Sequence, residues 1–448
     1  MKRNFTATRN PCKLCAPLGA AVVYQGVEGC LPILHGSQGC STYIRRYFIN
    51  HFREPVDIAS SNFSESTAIF GGQSNLIQAL ENVLNQYEPQ MIGLATTCLS
   101  ETIGDNVSLI LNEFRKKYAG KELPEIIYTS TPSYSGTHMD GFHAAVLSFI
   151  QHFAQEGPRL DQMLVLSNFI SPEDIRYLKQ VLADFGIDGF IFPDYSDTFD
   201  GETWESYRRI PEGGTTRRQL QSLGQCRHCI EFGASLDGTV SGAAYLEKSF
   251  GVERHGLNLP IGINLTDRFF EVLSVIAGRD IPSKYLKQRG RLIDGYADAH
   301  KYVFGKKAAV FGEEDFVIAL THFLFEIGVV PALCATGSST GTLRREIEKL
   351  SNDYGHPVIV REGADFEDVA SDVELIAPDF LLGNSKGYAL SRKMKVPLIR
   401  VGFPIHDRIG GQRILHLGYQ GTQSLFDNLV NTLIAHEQEQ SCVGYTFM

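Results

Sequence analysis

Short apolar runs alternate with longer amphipathic stretches along this chain, and the alternation recurs three times. Met91–Thr97 predicts a buried strand, Thr102–Lys117 carries apolar residues at helical spacing, and Glu125–Thr129 predicts the next strand. A second unit begins with the strand Met163–Ser167. Ser171-Pro-Glu-Asp then signals a helix start, with a serine cap, proline in the first turn and acids at the N-terminus. That helix runs to about Phe185, Gly186 ends it, and Gly189–Pro193 is the following strand. A third unit opens with Lys307–Gly312, continues as a helix from Glu314 to Ile327, and returns as the strand Val329–Cys334. Strands alternating with helices predict parallel sheets joined by right-handed crossovers. The expected fold class is therefore α/β, with three Rossmann-like domains near residues 1–155, 156–300 and 301–448, their parallel sheets flanked by helices. The stretch Asp194–Thr216, rich in Asp, Gly and Thr, predicts a long loop. Ligands of such sheets bind at the carboxyl ends of the strands, so function is expected in the loops after Thr97, Thr129, Ser167, Ala335 and Gly402.

Composition narrows the classes of function. The 448 residues are 43% hydrophobic and 21% charged, ordinary for a globular protein with sizeable cores. With 41 basic and 51 acidic residues the net charge is −10, which argues against a nucleic-acid binder. Met1–Pro11 is polar, without the apolar centre of a signal peptide, and no apolar run reaches the about 18 residues of a membrane span. A cytoplasmic protein with no membrane or nucleic-acid partner is expected. Its nine cysteines then point to metal ligation or catalysis rather than disulfides, wherever they cluster.

The first third holds Cys12-x-x-Cys15, Cys30, Cys40 and Cys98. Cys15, Cys40 and Cys98 each stand beside small residues, in sequence that reads as a loop or the end of an element. Thiolates ligate iron–sulfur clusters, and small neighbours let backbone N–H groups come close to the sulfurs. Buried free cysteines are the competing reading, and the spacings match no compact ferredoxin or zinc pattern. Cys226-Arg-His-Cys229 has the spacing of a metal or redox pair but no second half nearby, and incidental cysteines are the favoured reading. Cys334 and Cys442 read as structural or incidental.

Several long motifs, in order, resemble nitrogenase component 1 proteins, specifically their β-type chains. They are Leu34-His-Gly-Ser-Gln-Gly-Cys40, His51-Phe-Arg-Glu-Pro55, Ala68-Ile-Phe-Gly-Gly72, Thr96-Thr-Cys-Leu-Ser-Glu101, Thr131-Pro-Ser133, Leu382-Gly-Asn-Ser-Lys386 and Arg400-Val-Gly-Phe-Pro404. The resemblance covers nearly the whole chain. It implies an α2β2 heterotetramer with an α-type (NifE/NifD-like) partner and an iron–sulfur cluster shared at the interface, either 4Fe-4S or a P-cluster-like 8Fe-7S cluster. The family's β-chain ligands match Cys15, Cys40 and Cys98, and a nearby serine position matches Ser133. The three sulfurs would then lie within roughly 10 Å of one another, given metal–thiolate bonds of about 2.3 Å. A NifH-like Fe protein is expected to dock and deliver electrons with ATP hydrolysis.

Within the family, Gly402-Phe-Pro-Ile-His-Asp-Arg-Ile-Gly-Gly-Gln-Arg413 and Asn10-Pro-Cys-Lys-Leu-Cys15 look most like NifN-type scaffold chains, which serve assembly of the nitrogenase iron–molybdenum cofactor. The short approach to the first motif cysteine at residue 15 points the same way, because nitrogenase β chains usually carry a longer N-terminal extension. All three cysteine positions are filled, whereas some NifN chains keep one. That keeps the β subunit of an active ATP-dependent reductase, of the nitrogenase or methylthio-alkane reductase type, as the alternative. No catalytic residue is assigned. His35 reads as a proton shuttle or as a structural histidine, and Arg45, Arg46 and Arg53 as partner contacts or a solvated face. Gly71-Gly72 lacks a phosphate-loop pattern, and Gly337-Ser-Ser-Thr-Gly341 reads as a plain loop.

Overall fold

The computed structural model describes residues 10–236 and 241–443. Among these described residues, thirteen strands form three sheets. The first contains β1 (Cys30–His35), β2 (Ala59–Ser60), β3 (Met91–Thr96) and β4 (Glu125–Thr129), in the order β2-β1-β3-β4. The second contains β5 (Leu160–Leu166), β6 (Gly189–Phe192), β7 (Cys226–Phe232) and β8 (Glu253–Leu257), in the order β6-β5-β7-β8. The third contains β9 (Lys307–Gly312), β10 (Val330–Thr336), β11 (Ile359–Arg361), β12 (Phe380–Gly383) and β13 (Leu398–Arg400), in the order β11-β10-β9-β12-β13. Within the first and third sheets, and for β5 with β6 and β7, neighbouring strands run parallel. The fold is α/β, with parallel sheets flanked by helices. Contacts group the chain into two compact units. Among the described residues, one holds the first two sheets within residues 14–232 and 241–256, and the other holds the third sheet within 257–443, together with residues 10–13 and 233–236.

Local chemistry sets most element ends. Ser171 caps the helix Pro172–Phe185 reciprocally: its hydroxyl accepts the Asp174 N–H at 2.9 Å, and the Asp174 carboxylate accepts the Ser171 N–H at 3.1 Å. Gly186, at φ 63°, closes that helix in the left-handed conformation glycine tolerates. One expectation fails in an instructive way. Thr102–Lys117 is not one helix but parts of two, Cys98–Ile103 and Val107–Lys117. Gly104 ends the first in the left-handed region, and the Asn106 side chain caps the second by accepting the Leu109 N–H at 3.0 Å. Ile103, Val107, Ile110, Leu111 and Phe114 keep helical spacing across this break, so apolar periodicity does not reveal it. The stretch 194–216 is free of helix and strand, as its composition predicts.

The first sheet is covered differently on its two faces. Helices Gln73–Tyr87 and Val107–Lys117 bring Leu76, Leu80, Val83, Ile110, Leu111 and Phe114 against Leu31, Ile33, Ile92 and Leu94. The helix Ala16–Gln25 is buried all round, packed between the strands and the helix His138–Phe153. Two glycines make that crossing possible. A Cβ on Gly19 would lie 1.7 Å from the His138 carbonyl oxygen, and one on Gly141 would lie 1.9 Å from that of Ala16. The crossing is also tied at its end: the His138 N–H donates to the Leu14 carbonyl at 3.0 Å, and the Leu14 N–H donates to His138 Nδ1 at 3.3 Å. Gly141→Ala must push two backbones apart, so it is expected to cost about 1–3 kcal/mol of stability, the usual range for overpacking. Gly290→Ala is the control. It is an exposed helical glycine whose Cβ would meet nothing within 4 Å, and the substitution should gain about 0.5–1 kcal/mol. Thermal denaturation of the two variants should therefore shift in opposite directions.

Candidate metal centre

Parallel pairing aligns the ends of β1 and β3, His35 opposite Thr96, and Ala95 stands opposite Thr129 at the end of β4. Three adjacent strands therefore release their chains side by side. The loop after β1 leads into the helix Gln38–Phe52, whose first turn holds Cys40. The loop after β3 is one residue long: Thr97 caps the helix Cys98–Ile103, and Cys98 is its first residue. Ser133 lies in the loop after β4, and Cys15 directly precedes the helix Ala16–Gln25. All three cysteines thus stand at helix starts, where the positive end of the helix dipole favours bound negative charge.

Hydrogen bonds join these loops. The Ser133 N–H donates to Cys98 Sγ at 3.3 Å, while Ser133 Oγ accepts the Ala16 N–H at 3.0 Å. Ser133 therefore connects the Cys98 loop to the peptide that follows Cys15. Thr96 and Thr131 zip the β3 and β4 loops together: the Thr131 N–H donates to Thr96 Oγ1 at 2.9 Å and the Thr131 hydroxyl to the Thr96 carbonyl at 2.6 Å. Glu101 accepts hydroxyls from both Thr96 and Ser130. On the β1 side, the Thr97 N–H and hydroxyl both donate to the His35 carbonyl at 3.1 Å. A Cβ on Gly36 would lie 2.0 Å from Thr97 Oγ1, so the Cys40 and Cys98 loops touch at a glycine. Ser37 donates to Cys40 Sγ at 3.8 Å. Tyr47, two turns beyond Cys40, lies close enough to Cys15 for the two to interact electrostatically.

Burial sorts the cysteines into two kinds. Cys12, Cys30, Cys226, Cys229 and Cys334 are buried. Burial pushes the Cys12, Cys226 and Cys334 thiols up to about 12, and it raises Cys30 and Cys229 as well. Such thiols resist becoming thiolates and behave as core residues. Cys12 in particular packs into the apolar cluster of Phe311, Leu333 and Phe366, so it is no partner to Cys15 in a CxxC pair. By contrast Cys15 is exposed, and Cys40 and Cys98 are part-exposed. Among the described residues, Cys15, Cys40 and Cys98 are not gathered tightly enough to hold a single ion, whose ligands would all lie within 4.8 Å of one another. These accessible thiols stand on three loops joined by hydrogen bonds, with an N–H directed at the sulfur of Cys98.

His35 is fully buried, with Nδ1 3.0 Å from Ser61 Oγ and Nε2 3.1 Å from Asp105 Oδ2. Burial lowers its pKa, against the pull of Asp105. It is a strut between loops and not a solvent-facing shuttle. Arg45 is tied to the Val56 carbonyl at 2.6 Å and to Asp57 at 3.1 Å. The Gly72 N–H donates to Asp105, and the Glu314 carboxylate accepts the Leu343 N–H at 2.8 Å. Both glycine-rich segments thus have protein carboxylates where an anion would sit.

A family model described as nitrogenase component 1 type oxidoreductase matches residues 15–434. The chain belongs to this family. It is 34% identical over 440 residues to a nitrogenase molybdenum-iron protein beta chain of Clostridium pasteurianum, covering 98% of this chain and 95% of that one. The corresponding chain of Methanothermobacter thermautotrophicus is 33% identical (98% and 97% covered), and that of Azotobacter vinelandii is 34% identical (97% and 86%). A solved structure described as nitrogenase Cp1 at pH 6.5 superposes with a TM-score of 0.95 at 33% identity, covering 100% of this chain and 98% of that one. The chain is thus of the beta-chain type within the family. Proteins of this family carry iron–sulfur clusters. The relatives correct one expectation: molybdenum-iron beta chains of nearly this length exist, so a short approach to Cys15 does not separate scaffold chains from them.

Thr96, Thr131 and Glu101, which join the Cys98 and Ser133 loops, have no place in a reading based on ligands alone. Their signal was their position inside the two motifs that hold Cys98 and Ser133. Because Cys226 and Cys229 are core residues of β7, replacing both with alanine should leave the iron content of the purified complex unchanged. Loss of more than about half the iron would show that burial had misled, since removing a true ligand disrupts a cluster outright.

Proposed function

We propose that this chain is the β-type subunit of a nitrogenase-like α2β2 complex, and that Cys15, Cys40 and Cys98 hold its share of an iron–sulfur cluster. The cluster, 4Fe-4S or P-cluster-like 8Fe-7S, is shared with an α-type (NifE/NifD-like) partner. The observation that carries this reading is the hydrogen-bonded link through Ser133, which couples the Cys98 sulfur to the backbone beside Cys15. Bound there, the cluster supplies an electron-transfer centre. Ser133 contributes in two ways: its N–H draws charge from the Cys98 sulfur, and its hydroxyl orients the Cys15 loop.

Exposed apolar side chains beside the ligands support a partner face. Leu99 follows Cys98, Tyr134 follows Ser133, and Tyr43 lies one turn after Cys40. Ile69 and Phe70, 76% and 86% exposed, stand on the short helix Glu65–Phe70 that packs against the Cys98 helix. Apolar exposure of this kind marks an interface. An Fe protein (NifH-like reductase) is the proposed electron donor, and the cytoplasm the proposed location.

Of the two tasks such a half-site serves, the proposal takes the NifN-type scaffold for iron–molybdenum cofactor assembly, on the Gly402–Arg413 stretch. The second reading is the β subunit of an active ATP-dependent reductase. It is carried by the complete set of three thiols and by the similarity to molybdenum-iron protein beta chains. Cys40→Ala should remove most interface iron and weaken the α–β complex; unchanged iron in the purified heterotetramer would count against ligation. The two tasks separate when the complex is mixed with Fe protein, ATP and reductant. A scaffold activates cofactor-free nitrogenase with little direct turnover. Robust product formation from acetylene or a methylthio-alkane, without activation, would establish the reductase.

A further inference from the structure

The segment Cys226-Arg-His-Cys229 has its cysteines in the core, but His228 between them is directed elsewhere. β7 and β8 are neighbours in the second sheet, and alternation puts Glu253 and His255 of β8 on one face. His228 meets them there. His228 Nδ1 is 3.3 Å from His255 Nε2 and 3.3 Å from Glu253 Oε2, while Glu253 Oε1 is 3.6 Å from His255 Nε2. The rings lie 5.4 Å apart, tilted 40°. The neighbouring arginines are engaged with other acids: Arg254 pairs with Glu231 at 3.4 Å and Arg227 with Asp161 at 3.5 Å. Among the described residues, no lysine or arginine forms an ion pair with Glu253.

We propose that His228, Glu253 and His255 bind one divalent transition-metal ion of the zinc class. The donor spacing carries the argument. Zinc bonds to nitrogen and oxygen are about 2.0–2.2 Å long, and in a tetrahedron that sets ligand atoms about 3.3–3.6 Å apart. The two nitrogens already stand at that separation, and each has one oxygen of the Glu253 carboxylate at 3.3 or 3.6 Å. With one ligand atom from each residue, all three lie within 4.8 Å of one another, and they are the group of His, Cys, Asp or Glu residues so gathered among the described residues. Two imidazoles with one carboxylate suit zinc, cobalt or nickel, whereas magnesium and calcium prefer sets made of oxygen. Two facing ring nitrogens can share only one favourable N–H···N bond, and a metal satisfies both lone pairs together. The imidazoles are 17% and 19% exposed and the carboxylate 62%, which gives an ion held by a rigid strand pair an entry from solvent. Three protein ligands leave a fourth position for water or for a donor from another molecule. This site is independent of the cysteine loops and of any reading of them.

The test uses the purified iron-containing complex, stripped of adventitious metal with a mild chelator and dialysed against Zn²⁺. Elemental analysis should find about one zinc per β-type chain in the wild type and almost none in His228→Ala/His255→Ala, with equal iron in both. The exposed Glu253→Gln change leaves the strands' packing alone and should weaken zinc binding by about tenfold or more, as even outer-sphere changes at zinc sites do. Equal zinc uptake by wild type and double variant, or no uptake by the wild type, would overturn the proposal.

Discussion

The crossing of the helices Ala16–Gln25 and His138–Phe153 is the contact on which the arrangement of the cysteine loops depends. Backbone meets backbone there because Gly19 and Gly141 lack side chains. Any larger residue would move the first helix outward, and Cys15 sits directly before that helix. The crossing also sets where His138 stands, and with it the reciprocal hydrogen bonds to Leu14. A packing constraint inside the core is thereby converted into a position for a surface thiol. This conversion is cheap in residues and unforgiving of change, because close-packed interiors transmit small displacements.

The other two thiols are placed by a different device. Parallel strands all end on the same side of their sheet, so loops distant in sequence become neighbours without any side chain directing them. Threonines then fix the spacing: Thr97 holds the β3 loop to His35, and Thr131 holds the β4 loop to Thr96. Their hydroxyls donate to carbonyls at the strand ends, adding to the backbone hydrogen bond that His35 already accepts. His35 and Asp105 brace the same region from below with a pair of part-buried hydrogen bonds. The cysteine loops rest on a hydrogen-bonded polar frame, the kind of support that accurate positioning of metal ligands requires.

Burial does chemical work as well as structural work. Nine thiols of identical intrinsic chemistry are divided by environment: those in strands and cores are held protonated, and those at loop ends stay open to metal. The same division separates Cys226 and Cys229 from His228. Along β7, Cys226 and Cys229 are buried while Arg227 and His228 between them are open to solvent, so a short segment that reads as one motif contributes to two surroundings.

Periodicity along the chain was enough to reveal the α/β class, the strands β3, β4 and β9 and the helix from Pro172 to Phe185, because each depends on local apolar spacing and capping. The small residues beside Cys15, Cys40 and Cys98 were visible too, as a local feature, whereas Ser133 entered only through the family resemblance. The break at Gly104–Asn106 was not, because Ile103, Val107, Ile110, Leu111 and Phe114 keep helical spacing across it. Nor could the sequence show that Ser133 bridges Cys98 and Ala16, that Cys12 belongs to a core and Cys15 to a surface, or that His228 faces Glu253 and His255. Those relations join residues that are distant along the chain or differ only in burial. They follow from strand order, register and helix crossing, which arise when the whole chain packs and which no local run of residues contains.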